Sequence, residues 1–220
     1  TILMVAVNLA AYPLIVRALE QKGVEAAQEQ LRQNATLLLS ITVPAAVGMA
    51  VLAPNISAVL LGASFREDAA RLLPWVALAI LLAGVRGYHF DLAFQLGRHT
   101  LGQVWVIGAA AFLNILLNLW WIPSFGLMGA AYATFSAYLL AIILSAVLGR
   151  RVFAMPISCR SELKIVFASL TMGLLLNSTL SYQGLYALII QVTLGSVFYV
   201  MMAILLNVGG CRSILLRRPT

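Results

Sequence analysis

Three residues that can bind ions or exchange protons, Arg86, His89 and Asp91, lie within six positions of an otherwise apolar run. A charged side chain at the centre of a membrane helix costs at least about 2.5–3.5 kcal/mol, so it usually faces a watery cavity or an oppositely charged partner. Arginine binds phosphate oxygens with two parallel hydrogen bonds. We therefore predict that Arg86 binds an anionic substrate or acts in gating, with an ion pair between helices as the structural alternative.

Helical periodicity gives these side chains different predicted directions. Arg86 and His89 are three residues apart and share one face of an α-helix, so His89 joins the candidate substrate-binding residues. An interior histidine held by hydrogen bonds is its structural alternative. Asp91 points away from Arg86 on a regular α-helix and shares another face with Gln95. As the only carboxylate within the predicted spans, Asp91 is the candidate for coupling or gating.

Two amides, Asn114 and Asn118, lie one helical turn apart in the next apolar run. Amides in membrane helices commonly bond to a neighbouring helix, for about 0.6–2 kcal/mol. They also suit sugar hydroxyls, and we include both among the candidate substrate-binding residues. The sequence has no phosphate-binding loop, zinc-binding histidine pair or nucleophile elbow, so we predict no catalytic residue, metal site or cofactor.

The elements that carry these residues are membrane helices. The 220 residues are 62% hydrophobic and 10% charged, with a mean hydropathy of +0.98, whereas soluble domains are about 45–50% apolar and 25% charged. A helix needs about 20 apolar residues to cross a bilayer. We predict an all-α polytopic membrane protein with about seven transmembrane helices, at Ile2–Val16, Ala35–Gly62, Leu72–Leu96, Leu101–Ile122, Leu127–Gly149, Leu163–Leu180 and Leu185–Val208.

The positive charges predict how these helices are oriented. Loops on one side hold only Arg66 and Arg71, and those on the other hold Arg17, Lys22, Arg32, Arg98, Arg150, Arg151, Arg160, Lys164, Arg212, Arg217 and Arg218. Cytoplasmic loops carry the excess of Lys and Arg, so we predict a cytoplasmic C-terminus. The charges are dispersed along the chain, which argues against a nucleic-acid partner. Cys159 and Cys211 fall on the predicted cytoplasmic side as free thiols.

Small side chains recur at every fourth position of the fifth span, at Gly129, Ala133, Ala137, Ala141, Ser145 and Gly149. Small residues at this spacing let membrane helices approach closely. We predict a packing face, with a sliding surface between moving helices as the functional alternative.

Two further features concern the start of the chain. The polar segment Leu19–Asn34 predicts a helix on the cytoplasmic surface. The first span begins at Thr1 without an initiator methionine, and we expect the chain to be the C-terminal part of a longer protein.

The strongest pattern surrounds the asparagine pair. It reads Leu113-Asn114-Ile115-Leu116-Leu117-Asn118-Leu119-Trp120-Trp121-Ile122-Pro123, then Phe125-Gly126-Leu127-Met128-Gly129-Ala130-Ala131-Tyr132-Ala133-Thr134. It resembles a signature of polysaccharide-biosynthesis flippases, in which an Asn- and Leu-rich helix ends in Ile-Pro, a Gly-x-x-Gly-Ala-Ala turn follows and the next helix begins Ala-Thr. Tyr12-Pro13 is similar to a helix end of the same family. Over about Ile2–Arg151 the chain thus resembles the O-antigen and lipid-linked oligosaccharide flippases of the multidrug/oligosaccharidyl-lipid/polysaccharide exporter superfamily.

The resemblance implies a V-shaped exporter with two six-helix lobes and two extra C-terminal helices. Residues 1–151 would form most of the second lobe, and residues 152–220 the extra helices and a cytoplasmic tail. The implied substrate is an undecaprenyl-pyrophosphate-linked oligosaccharide, flipped to the outer leaflet of a bacterial inner membrane. The implied partners are this lipid, the surrounding membrane lipids and an N-terminal lobe of the same protein.

Two other functions are alternatives to this one. A cation-coupled drug exporter of the same superfamily relies on membrane carboxylates, and Asp91 is one. A membrane glycan polymerase or ligase needs a large outer loop with basic residues, and the sequence has neither.

Overall fold

The computed structural model describes residues 2–211, with side-chain exposure from residue 4 onwards. Nine α-helices make up most of this described part: α1 Ile2–Lys22, α2 Val24–Val51, α3 Ala53–Leu60, α4 Arg66–Val85, α5 Leu92–Leu96, α6 Thr100–Phe125, α7 Leu127–Gly149, α8 Cys159–Asn177 and α9 Leu185–Leu205. A π-helical turn at Arg86–Phe90 joins α4 to α5, and 3₁₀ turns lie at Ala63–Phe65 and Val208–Gly210. No β-strand occurs within residues 2–211. The protein is the all-α polytopic membrane protein that the sequence predicts.

Five helical segments of the described chain are long and apolar enough to cross a bilayer, namely Val24–Val51, Ala63–Leu96, Thr100–Phe125, Leu127–Gly149 and Leu185–Leu205. The other two predicted spans are also helical, as α1 and α8. Arg160, Glu162 and Lys164 lie in the first two turns of α8, which shortens its apolar stretch. The helical segments are therefore consistent with the prediction of about seven membrane helices.

The polar segment Leu19–Asn34 is not the separate surface helix that the sequence predicts. It is divided between α1 and α2, and the break falls at Gly23, whose φ is +86°. L-residues with a side chain are disfavoured at positive φ, so glycine allows the chain to turn here. Ala27 and Leu31 in this part of α2 are fully buried, so the segment packs against the protein.

The second predicted span, Ala35–Gly62, is two helices. Pro44 lies inside α2, whereas Pro54 lies in the first turn of α3. A first-turn N–H has no partner within its own helix, so a proline there costs no helical hydrogen bond. Leu52 separates the two helices.

The small-residue stripe of α7 is confirmed as a packing face. The buried residues of α7 are Gly129, Ala133, Ala137, Ala141, Ser145 and Gly149, the six members of the stripe. Ala141 is fully buried against a cluster that includes Phe94 and Val106. At Gly149 an added Cβ would lie 3.1 Å from the Ala93 side chain, so α7 and the π-turn region approach each other closely.

The described chain forms two compact units. The first comprises the residues up to Leu38 together with Leu78–Ile157, and the second comprises Leu39–Ala77 together with the residues from Ser158 onwards. Apolar cores fill each unit. That of the second unit gathers Leu52, Ala168, Met172, Leu176 and Tyr199.

A network of amide hydrogen bonds joins α3, α9 and the turn before α9 in the second unit. Asn55 and Gln191 are buried, and Asn55 Nδ2 donates to Gln191 Oε1 at 2.7 Å. The Gly184 N–H donates to Asn55 Oδ1 at 2.9 Å, and Gln191 Nε2 donates to the carbonyls of Thr179 and Tyr182 at 2.9 and 3.2 Å. Because each amide oxygen and nitrogen has a partner, the network holds the turn before α9 in place.

Candidate functional site

The membrane segment that carries Arg86, His89 and Asp91 changes from α-helix to a π-helical turn where the charged residues begin. Arg86–Phe90 is a π-helical turn, in which the Asp91 N–H donates to the Arg86 carbonyl, five residues back, at 2.8 Å. Such turns are rare and occur frequently at functional sites. Five residues make about 1.4 turns of an α-helix. In the wider π-helical turn, the same five residues make about one turn. Residues at the two ends of the turn therefore come to the same side.

The prediction that Asp91 points away from Arg86 is wrong. Arg86 Nε lies 3.3 Å from Asp91 Oδ2, and the two side chains form an ion pair. Asp91 is fully buried, whereas Gln95 is exposed. The prediction assumed a regular α-helix, and the π-turn removes the angular separation that such a helix imposes.

Two neutral donors complete the surroundings of the Asp91 carboxylate. Ser145 Oγ on α7 donates to Asp91 Oδ1 at 2.5 Å, and Gln103 Nε2 on α6 donates to Asp91 Oδ2 at 3.4 Å. A hydroxyl that bonds to a carboxylate makes a short, charge-assisted hydrogen bond. The small residues around Ser145 allow α7 to come near enough to the π-turn for this contact.

The Arg86 guanidinium is only partly paired. Its side chain is 17% exposed, and its buried Nε makes an ion contact with Asp91 but no hydrogen bond. No hydrogen bond from its two terminal nitrogens is found within residues 4–211. A guanidinium has five N–H donors, so several remain available to an anion.

His89 lies in the same π-turn and is almost fully buried, with 2% of its surface exposed. Neither ring nitrogen has a hydrogen-bond partner among the described residues, and the ring packs edge-on against Phe90 at 4.9 Å. Buried polar atoms are almost always paired. The imidazole therefore needs a partner that the described residues do not supply.

The asparagines form a separate pair. Asn118 Nδ2 donates to Asn114 Oδ1 at 3.0 Å, and Asn118 Oδ1 is buried without a partner in the described chain. Asn114 lies about 16 Å further along α6 than Gln103, at 1.5 Å per residue. No hydrogen bond or ion pair within residues 4–211 links this pair to Arg86. The structure thus brings Arg86 and Asp91 together and leaves the asparagines apart from them.

Comparison with known proteins gives one structural likeness. No protein-family model matches the chain, and no curated protein matches it. A solved structure described as "Lipid II flippase MurJ, inward closed conformation" superposes with a TM-score of 0.78. The chain shares the fold of that flippase. The alignment covers 93% of this chain and 43% of the flippase chain at 16% sequence identity, so the likeness establishes the fold alone.

The second unit contains a cavity that is lined by uncharged residues. Its volume is about 440 Å³, and it lies between the second half of α2, α3, α8 and α9. Gly48, Met172, Leu176 and Gly195 are among its lining residues, none of which is charged. An anion would find no cation there, so the candidate anion site is the π-turn of the first unit.

Ser145 and Gln103 are the site residues that the sequence analysis did not assign. The signal for Ser145 was present, because it is the one hydroxyl in a stripe of Gly and Ala. Gln103 is an amide within a span, a type of residue that commonly bonds across helices. What the sequence does not specify is that both reach the same carboxylate.

Proposed function

We propose that the chain is the C-terminal part of a flippase for a lipid-linked oligosaccharide. The substrate is an undecaprenyl-pyrophosphate-linked oligosaccharide, which moves from the cytoplasmic to the outer leaflet for surface polysaccharide biosynthesis. The observation that carries the proposal is an incompletely paired arginine within a membrane segment, Arg86, in a fold shared with a lipid flippase. The protein acts as a transporter and not as an enzyme.

The free donors of Arg86 match the chemistry of the proposed substrate. A pyrophosphate presents several anionic oxygens, and a guanidinium binds such oxygens in a fork geometry. His89 supplies a further unpaired polar group in the same turn. Asn114 and Asn118 have amides suited to sugar hydroxyls, and Asn118 Oδ1 is still unpaired within the described residues. Asp91 balances the positive charge of Arg86 when no substrate is bound.

The proposal extends to organisation and location. Residues 1–151 belong to the second lobe of a two-lobe exporter, and residues 152–220 supply two additional helices and a tail. The excess of Lys and Arg on one side of the membrane supports a cytoplasmic C-terminus in a bacterial inner membrane. The aligned flippase chain is more than twice as long as the aligned part, which supports an N-terminal lobe as a partner.

The test is deletion of the full-length gene in the source organism, followed by mass spectrometry of polyprenyl-linked lipids. We expect a completed lipid-linked oligosaccharide to accumulate, with a mass that identifies its sugars. Return of the wild-type gene should clear it, and return of Arg86→Ala should not. An unchanged lipid-linked pool in a strain with no other flippase of this fold contradicts the proposal.

A second candidate function is a cation-coupled drug exporter of the same superfamily. The observation that favours it is Asp91, a fully buried carboxylate within a membrane segment. For an exporter, the deletion should leave the lipid-linked pool unchanged and should sensitise the cells to cationic drugs.

A further inference from the structure

Asp91 is a buried carboxylate whose charge depends on one partner. It is fully buried, and Arg86 is its only cationic partner among the described residues. The groups that face it from α6 and α7 are the neutral donors Gln103 and Ser145. The π-turn also carries His89.

The element α1 also borders this environment. It packs against the π-turn, and its contributions to the adjoining core are apolar residues together with Tyr12. The polar contacts of Asp91 within the described residues thus comprise one cation and two neutral donors. An anion that binds Arg86 therefore competes for the only charge that balances the carboxylate.

Loss of that balance has a large energetic consequence. A buried charge without its partner costs several kcal/mol, and a buried group avoids this cost by becoming neutral. For Asp91 the neutral form is the carboxylic acid, which forms when one proton is added to the carboxylate. No electron transfer or other reactant is needed.

The two neutral donors fit both forms of the carboxyl group. A serine hydroxyl donates to a carboxylate and accepts from a carboxylic acid, because it has both a proton and lone pairs. The side chain of Gln103 also has a donor nitrogen and an acceptor oxygen. Ser145 and Gln103 can therefore remain in contact with Asp91 when its ion pair with Arg86 is released.

We propose that Asp91 exchanges Arg86 for one proton when an anionic group binds the Arg86 guanidinium. Binding of the lipid pyrophosphate then takes up a proton from water, and its release returns that proton. The inference rests on the proposed function, and it names the proton as the coupled ion. Ser145 and Gln103 become positioning residues, which act on substrate through Asp91.

The experiment uses the full-length gene product in lipid nanodiscs and a defined probe, polyprenyl-diphosphate-linked N-acetylglucosamine. Both phosphates of this diester stay ionised near neutral pH, so the probe does not itself titrate. Where binding takes up one proton, we expect the affinity to weaken about tenfold for each unit of pH increase. An indicator dye in weak buffer should report one proton taken up per probe bound.

Two variants test whether Asp91 is the group that takes up the proton. Asp91→Asn should remove the pH dependence and keep the affinity near the low-pH value of the wild type, since its amide needs no proton. Asp68→Asn is the matched control, because Asp68 is exposed in the first turn of α4, and it should keep the wild-type slope. The dye measurement on the wild type stands alone if Asp91→Asn does not fold.

The outcomes separate this inference from the proposed function. Wild-type binding without pH dependence or proton uptake overturns the inference and leaves the flippase proposal standing. A wild-type slope that survives in Asp91→Asn assigns the proton to another group and also overturns the inference. Binding that needs sodium at constant pH, without proton uptake, has the same consequence. No binding of the probe at any pH overturns both.

Discussion

Each compact unit contains a buried polar network, and the two networks differ in charge and in completeness. In the second unit, the amides of Asn55 and Gln191 are neutral, and all their oxygens and nitrogens are paired. In the first unit, Asp91 and Arg86 are charged, and the guanidinium keeps free donors within the described chain. A network in which every polar atom has a partner gains less from a ligand than one with unpaired donors.

The energetic roles of the networks differ in the same way. Hydrogen bonds between membrane helices contribute on average about 0.6 kcal/mol and at most about 1.7 kcal/mol. A buried ion pair is weaker evidence for stability, because desolvation of both charges offsets their attraction. The amide network is therefore explained by the fold alone, and the charged network asks for a functional explanation.

The largest effect should come from Arg86→Ala in the full-length protein. It removes the donors proposed to bind the anion and leaves Asp91 with an unpaired buried charge, at about 3–5 kcal/mol. We expect no flipping, seen as undiminished lipid-linked oligosaccharide in a complemented deletion strain. Arg86→Lys should restore flipping only in part, because lysine keeps the positive charge but lacks the paired N–H donors of the guanidinium.

A double variant distinguishes lost folding from lost binding. Arg86→Ala with Asp91→Asn leaves no buried charge, so the protein level should recover while flipping stays absent. Arg71→Ala is the surface control, because its ion pair with Glu67 is exposed, and it should flip normally. Wild-type flipping by a well-expressed Arg86→Ala protein would remove Arg86 from the site.

The opposite pattern is expected for Asn55→Ala in the neutral network. It leaves Gln191 Oε1 and the Gly184 N–H without their partner, at a cost of about 2–3 kcal/mol. The melting temperature in detergent should fall, and flipping at a permissive temperature should persist.

A mutant cycle with Gln191→Ala tests whether the network acts as a unit. The double variant should cost less than the sum of the single variants, because both remove the same hydrogen bond. Lost flipping with an unchanged melting temperature would show that the two networks do not differ as described.

Most of the helical framework is predictable from the sequence, and the contacts of the charged residues are not. Hydropathy marks the spans, and the four-residue spacing of small side chains marks the buried face of α7. Both signals are local in the chain. The π-turn at Arg86 is not visible in the sequence. A regular α-helix was assumed there, and such a helix puts Asp91 on a different face from Arg86. The contact between Ser145 and Asp91 joins residues 54 positions apart, and no local pattern specifies it.

A smaller effect is expected for Ser145→Ala, which separates packing from chemistry in the charged network. Alanine fits a stripe whose other members are Gly and Ala, so the contact of α7 should survive. The variant loses the hydroxyl that bonds to Asp91, at about 0.6–1.7 kcal/mol. We expect flipping to slow several-fold, with a smaller fall in melting temperature than for Asn55→Ala. Ser196→Ala is the control, because its exposed hydroxyl bonds within its own helix. Equal effects of the two variants would assign Ser145 to packing alone.

The smallest effect should come from Gln103→Leu, compared with Gln95→Leu. Gln103 Nε2 lies 3.4 Å from Asp91 Oδ2, near the limit for a hydrogen bond, so its loss should cost less than about 1 kcal/mol. We expect a small but measurable decrease in flipping for Gln103→Leu and none for Gln95→Leu, whose side chain is exposed. The pair tests the contact across helices, because Gln103 reaches Asp91 from α6, whereas Gln95 follows Asp91 in its own segment. If Gln95→Leu has the larger effect, the bond from Gln103 to Asp91 does not contribute to flipping.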